Sequence, residues 1–297
     1  MGQLVRDSIR GGLPVQTLMQ LDPLRDAVAA LRAKGPVALV PTMGALHEGH
    51  MTLVREAHRH AASVVVSIFV NPRQFGPNED LDRYPRQLAA DSALLERDGV
   101  DLLWAPGVEV MYPVGYATSI GVSGVSDGLC GAARPGHFDG VATVVCKLFN
   151  QVSPDMAFFG EKDWQQLAVI RRMARDLDLI APRASAIHGV VTVREADGLA
   201  LSSRNAFLDP AQRVQAGCLP RAMQEAIAAV SKGASHGAAL AALRDRLLTG
   251  GFASVDYAEI RDADSLTPLE RGEAGTPRLF VAARIGSTRL IDNMPLG

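Results

Sequence analysis

The stretch that most constrains this chain runs from Val37 to His60. A short apolar run, Val37-Ala38-Leu39-Val40, bounded by Gly35-Pro36 and Pro41, predicts a buried strand. It is followed by Pro41-Thr42-Met43-Gly44-Ala45-Leu46-His47-Glu48-Gly49-His50, and from His50 to His60 the apolar residues Leu53, Val54 and Ala57 fall at helical spacing. Two histidines and two glycines therefore sit where a strand turns into a helix. In an open α/β sheet that junction lies at the carboxyl edge, where ligands bind. A helix N-terminus offers free N–H groups and partial positive charge, a seat for a phosphate chain. His47 and His50 are one helical turn apart, so both rings can face one ligand. Gly44 and Gly49 lack the Cβ that would hold backbone and phosphate apart. Two imidazoles aimed at an α-phosphate would stabilise the charge that grows as pyrophosphate leaves. The alternative is an ordinary histidine pair near a turn.

The same pattern recurs along the chain. Ser63 to Val70 is β-branched and unalternating, as expected of a strand covered on both faces, and its crossover from the first strand suits a parallel βαβ unit. Gln74 then lands at the same edge, where an amide can donate to a carboxylate and accept from a hydroxyl. A helix from Pro85 to Arg97, a strand from Val100 to Trp104, a short strand within Thr118–Val125, a loop-rich stretch from Gly128 to Gly140 and an apolar helix from Val141 to Gln151 follow. A fourth main strand, Asp155–Phe159, runs into Gly160-Glu161-Lys162-Asp163 and a helix from Trp164 to Leu177. Lys162 either neutralises phosphate oxygens or stands in solvent beside a helix cap, and Asp163 either accepts a ribose hydroxyl or caps the helix. Gln166, one turn into that helix, can face the same cleft. A strand over Ala184–Val193 leads to a loop holding Ser202, Ser203 and Arg204, either an oxyanion cradle or a cap for the helix at Pro210.

Composition shifts after about Val191. Alanine-rich helices are expected from Pro210 to Lys232, broken near Pro220, and from His236 to Leu248. Short strands are expected at Val255–Arg261, Arg278–Ile285 and Ser287–Ile291. The expected fold is α/β, a Rossmann-like parallel sheet over residues 1–191 with a smaller C-terminal α+β lid domain over 192–297.

Charge and cysteine usage argue against several function classes. The 297 residues carry 30 basic and 32 acidic side chains, a formal net charge of −2, without the basic excess of a nucleic-acid binder. No apolar run reaches the roughly 18 residues a membrane span needs. The stretch from Met1 to Gln16 is charged and lacks a signal-peptide core, so a cytoplasmic location is the default. Cys130, Cys146 and Cys218 lie far apart and form no metal-type pair, and Cys146 reads as buried packing.

The His47-x-Gly49-His50 block resembles the signature of class I nucleotidyltransferases. Together with Ser67-Ile68-Phe69-Val70-Asn71-Pro72, Gln74-Phe75, Arg134-Pro135-Gly136-His137-Phe138, Gly160-Glu161-Lys162-Asp163, Gln165-Gln166, Arg194 to Asn205 and Thr288-Arg289-Leu290-Ile291-Asp292-Asn293, it resembles the pantoate–β-alanine ligase family over nearly the whole chain. The resemblance implies a homodimer with ATP- and Mg2+-dependent chemistry. Pantoate's carboxylate would attack the α-phosphate of ATP, and β-alanine would then displace AMP from pantoyl adenylate. It implies an ATP site made of Met43, Gly44, Ala45, Leu46, His47, Glu48, Gly49 and His50, with Gly160, Glu161, Lys162, Asp163, Val193, Leu201, Ser202, Ser203 and Arg204. His50 would be a proton donor, with His47 and Lys162 beside it at the phosphates. Gln74 would bind pantoate and β-alanine, and Gln166 pantoate; residues positioning magnesium stay unassigned. A rival on the same scaffold would transfer a nucleotide to a phosphate ester, for which Arg or Lys would be expected in place of the two glutamines. Val191 stands where the family usually has proline, and Ala181-Pro182-Arg183 also departs, so altered loop geometry is expected there with the chemistry retained.

Overall fold

A computed structural model describes residues 15–77 and 79–297. The charged N-terminal stretch lies almost wholly outside the described residues. In chain order the first part comprises β1 (Gln16–Leu18), α1 (Leu21–Arg32), β2 (Val37–Thr42), α2 (Glu48–His60), β3 (Ser63–Ile68), α3 (Leu88–Arg97), β4 (Leu102–Trp104), α4 (Val108–Met111), α5 (Leu129–Ala133), α6 (His137–Val152), β5 (Met156–Gly160), α7 (Trp164–Asp176) and β6 (Ile187–Val190). The second part holds α8 (Pro210–Ala216), α9 (Cys218–Ser231), α10 (His236–Thr249), β7 (Ser254–Asp262), β8 (Pro277–Ile285) and β9 (Thr288–Pro295).

The first six strands form one parallel sheet in the order β1-β4-β3-β2-β5-β6. From β2 the chain first works outward through β3 and β4, and later returns to the other side of β2 with β5 and β6. The strand order thus reverses between β2 and β5, which is where such sheets bind ligands. Uninterrupted apolar strands follow from burial on both faces. Ala38, Val40, Val64, Val66, Leu103 and Phe158 pack against Met51, Val54 and Ala57 of α2 and Leu95 of α3. The alternate residues Leu39, Val65, Leu102, Trp104, Ala157 and Phe159 pack against α1, α6 and α7. Helix α6 is apolar on nearly every side because nearly every side is buried. The polar end of Trp104 inside this core is satisfied by Nε1–H donating to Gln151 Oε1 at 3.0 Å.

Strands β7, β8 and β9 make an antiparallel sheet. Leu279, Val281, Ala283 and Ile285 face α9 and α10, whereas Phe280, Ala282 and Tyr257 join the core of the first part. The period-two alternation of β8 therefore carries the contact between the two parts.

Several local expectations need correction. No strand forms within Thr118–Val125: the Ile120 N–H donates to Thr143 Oγ1 on α6 at 2.9 Å instead of to a neighbouring strand. The sheet edge beside β4 is taken by β1, three residues too short to show a period. Within Gly128–Gly140 the chain forms α5 and begins α6 at His137. The helix expected from Pro85 starts at Leu88, and the strand expected over Ala184–Val193 is confined to Ile187–Val190. The alanine-rich stretch breaks at Gly217, just before Pro220. Pro220 is the third residue of α9, where an N–H has no intrahelical acceptor to lose.

Candidate active site

The carboxyl ends of β2, β3 and β5 open into one cleft, closed on its far side by the loop from Val190 to Arg204. Met43, His47, Gly49, His50, Gln74, Gly160, Lys162, Asp163, Gln166, Val193, Leu201, Ser202, Ser203 and Arg204 all line it. Gly44, Ala45, Leu46, Glu48 and Glu161 do not. The first three form the turn beneath the histidines, and Glu48 pairs with Arg55 on the outer side of α2.

That turn is bent tightly, with Gly44 at φ +83° and Ala45 at φ +52°. The carboxylate of Asp91, buried on α3, accepts the Ala45 and Leu46 N–H groups at 2.9 Å each. Downstream, His50 Nδ1 accepts the His47 N–H at 3.3 Å and His47 Nδ1 accepts the Gly49 N–H at 3.2 Å. The backbone donors expected to seat a phosphate are therefore largely committed within the protein. The two imidazoles present donors of their own instead. Each ring uses Nδ1 as an acceptor, so the neutral tautomer of each carries its proton on Nε2. The rings lie 4.1 Å apart between centroids. Burial, with Lys162 nearby, lowers the pKa of His47 to about 4. Burial, then His47 and Lys162, lowers that of His50 to about 3. The pair is neutral near pH 7 and presents N–H donors rather than an acid.

Gln74 is oriented by its neighbours. Its Oε1 accepts from Asn71 Nδ2 at 3.1 Å, and its Nε2 lies 2.9 Å from the Met43 sulfur, a weak acceptor. Asn71 is itself fixed by the Tyr112 hydroxyl at 2.8 Å and the Gly140 carbonyl at 3.1 Å. The amide thus turns its donor end toward the cleft. Gly140 has no Cβ because one would meet the Arg73 carbonyl oxygen at 2.3 Å. Gln166 lines the cleft, but Gln165 is buried and holds the segment before α5, accepting from Cys130 N–H at 3.0 Å and donating to Val125 and Gly128 carbonyls.

Across the cleft, Arg204 forks onto Asp80 at 2.9 and 3.0 Å. Arg134 forks onto Glu79 at 2.6 and 2.5 Å, and that pairing holds the Glu79 carboxyl down to about 2 against its burial. Ser203 Oγ donates to the Ala45 carbonyl at 3.0 Å, tying the late loop to the histidine turn. His137 donates from Nδ1 to the Gln74 carbonyl at 2.8 Å and accepts from Arg134 at 2.9 Å, and burial beside Arg134 lowers its pKa to about 4. Val141, Val144, Val145 and Leu148 add an apolar wall from one face of α6. Their i, i+3, i+4, i+7 spacing was the available signal for that wall. Asp91 carried no such signal, since an acid in the first turn of a helix reads as dipole complementation.

Neutral imidazole donors at the β2 edge, a lysine at the β5 edge and a hydroxyl–guanidinium loop opposite fit a polyphosphate. The family model described as pantoate-beta-alanine ligase matches residues 16–295. The chain belongs to the pantoate–β-alanine ligase family. A pantothenate synthetase from Novosphingobium aromaticivorans is 66% identical over 284 residues, covering 95% of this chain and 99% of that protein. A crystal structure of the pantoate–β-alanine ligase from Thermus thermophilus superposes with a TM-score of 0.88 at 49% identity, covering 95% and 99% of the two chains. One from Francisella tularensis, in complex with beta-gamma ATP and beta-alanine, superposes with a TM-score of 0.80 at 31% identity, covering 95% and 98%. Like its family, the protein is an enzyme, a ligase. Among the described residues no helix is long and apolar enough to cross a membrane, and no three His, Cys, Asp or Glu side chains cluster to hold a metal ion.

Proposed function

We propose that this cleft carries out the family's ligation, the ATP-dependent condensation of pantoate with β-alanine, through the residues that line it. One observation carries the assignment of roles. His47 and His50 at the end of β2 share a cleft with Lys162 at the end of β5, and the uncharged amides Gln74 and Gln166 lie in the same cleft.

In the first step a carboxylate oxygen of pantoate attacks the α-phosphorus of ATP, and the bond to the departing pyrophosphate breaks. The Nε2–H groups of His47 and His50 donate to the phosphate oxygens on which charge builds. His50 acts as a neutral hydrogen-bond donor, which narrows the proton-donor role expected from the resemblance. Lys162, Ser202, Ser203 and Arg204 hold the outer phosphates, with Arg204 exchanging Asp80 for phosphate oxygens. Gln74 and Gln166 orient pantoate, and the α6 wall takes its apolar chain. In the second step the neutral amine of β-alanine attacks the acyl carbon, the bond to AMP breaks, and one proton is released. An enclosed cleft protects the acyl adenylate from water.

Magnesium fits this donor set as an ion carried mainly by the triphosphate, since Mg2+ is commonly held by one or two carboxylates plus substrate phosphates. Asp163 is the lining carboxylate for it, being paired only loosely with Lys162 at 3.7 Å. When bound, the ion neutralises charge on the transferring phosphates.

We further read residues 192–297 as a lid that closes over 1–191, supported by its separate core around α9, α10 and β8. The homodimer implied by the family resemblance is tested by light scattering. The chemistry is tested by pantoate-dependent exchange of labelled pyrophosphate into ATP without β-alanine. Exchange that requires pantoate supports the acyl-adenylate step. Its absence in folded protein that binds ATP removes it.

A further inference from the structure

The late Asp292-Asn293 pair lines neither the main cleft nor the larger groove beside it but a small side cavity shared with Lys162, Asp163 and Gln166, and both residues are buried, at 3% and 4% exposure. Asn293 Nδ2 donates to the carbonyls of Glu161 and Lys162, at 2.9 Å each. Its Oδ1 accepts from Arg278, whose guanidinium stacks 3.6 Å from the centre of the Trp164 ring. Asp292 takes the opposite loop. Its carboxylate binds Arg194 bidentately at 2.6 and 2.9 Å, and Arg194 also donates to the Gly198 carbonyl at 3.0 Å. That loop closes on itself through an Arg194–Ala200 bridge and a Leu201 N–H to Val193 carbonyl bond of 3.0 Å, and it emerges directly into Ser202-Ser203-Arg204. The Asp292 carboxylate is also tied to the following backbone, accepting the Asn293 main-chain N–H at Oδ1 at 2.8 Å.

We propose that Asp292 and Asn293 are positioning residues for the nucleotide's outer phosphates. One dipeptide on β9 grips the Lys162 turn and the base of the Ser202–Arg204 loop, and so sets the gap across which a triphosphate is held. This rests on the reading that those two segments bind phosphate. Amide donors to two carbonyls suit the task, because each buried carbonyl left unpaired costs free energy and lets its turn drift. A serine or lysine misplaced by an ångström loses much of its hold on an anion.

The test compares ATP with AMP by titration calorimetry, without pantoate. Asn293→Asp keeps the volume but sets a carboxylate against two carbonyl oxygens. It is expected to weaken ATP at least tenfold and AMP less than twofold, because AMP lacks the outer phosphates. The milder Asn293→Ser carries the same comparison if the aspartate variant does not fold. Equal losses for ATP and AMP, or no loss for either, overturn the proposal. Lys162→Met separates this from failure of the underlying reading. If it leaves ATP affinity unchanged, the Lys162 turn does not hold phosphate at all; if it weakens ATP while the Asn293 variants do not, only the positioning role fails.

Discussion

The carboxylate of Asp91 accepts the N–H of Ala45 at 2.9 Å, across 46 residues of chain, and Ala45 is a left-handed residue at φ +52°. A non-glycine residue in that region costs roughly 1 kcal/mol, and surrounding structure must hold it there. Asp91 is that support, and the turn it holds aims His47 and His50.

Asp91→Ala leaves the Ala45 and Leu46 N–H groups buried without partners, at about 1–3 kcal/mol for each. The variant is expected to unfold at lower urea concentration and to turn over more slowly even when fully folded, because both histidines ride on the released turn. Wild-type turnover in folded Asp91→Ala would show that the turn holds its shape without the carboxylate.

The shared tautomer of the histidines separates two roles within one side chain. His50→Asn retains an acceptor near the His47 N–H but has no donor at the position of Nε2. Turnover is expected to fall by roughly 10²-fold or more, the cost of losing one preorganised donor, with the fold kept. His50→Ala, which loses the cap as well, should match that loss in rate and be less stable. Steady-state kinetics beside thermal unfolding distinguish them, and near-normal turnover in His50→Asn would remove the ring from the chemistry.

Burial keeps His47, His50 and His137 neutral, with pKa values of about 4, 3 and 4 against 6.5 for an unfolded histidine. Between those limits the unfolded chain binds protons that the native protein refuses, so stability falls as pH drops below 6.5. The three rings are only part-buried, so each contributes less than the roughly 1.4 kcal/mol per pH unit of a full one-proton difference. Glu79 acts at lower pH: its folded value of about 2 lies under the ordinary 4.5, so its contribution is present above 4.5 and lost on further acidification. Denaturation at several pH values between about 7 and 5 thus reads mainly the histidines, and His50→Asn should flatten the slope. Equal slopes would mean that His50 is charged in the native protein. The acid limb of kcat/KM, which reports the free enzyme, should likewise lie well below 6.5.

The sequence showed the sheet, its carboxyl edge and most cleft-lining residues because these follow from local pattern. Buried parallel strands are continuous apolar runs, and each strand-to-helix junction concentrates polar residues on a short segment. What it hid depends on partners distant in the chain. Asp91, the Asn71–Tyr112 support behind Gln74 and the grip of Asn293 on the Lys162 turn each join residues dozens apart or more, and no period or cap records such pairings. The N–H groups of the turn and of the helix start looked free for phosphate because their occupants, Asp91 and the two imidazoles, were visible only in three dimensions.

Gln74 shows how such hidden support becomes specificity. Tyr112 fixes Asn71, Asn71 ties down Gln74 Oε1, and the amide is left with its donor end toward the cleft, where pantoate is proposed to bind. Gln74→Glu preserves the acceptor for Asn71 and replaces the donor by a carboxylate facing the acid it should bind. KM for pantoate in pyrophosphate exchange is expected to rise by more than tenfold, above the rise in Gln74→Ala, because a like charge repels where a missing group merely fails to bind. KM for ATP should change little, since the proposed nucleotide site lies on other elements. If Gln74→Glu and Gln74→Ala both leave pantoate KM at the wild-type value, Gln74 does not touch the acid, and Gln166 alone would carry its recognition.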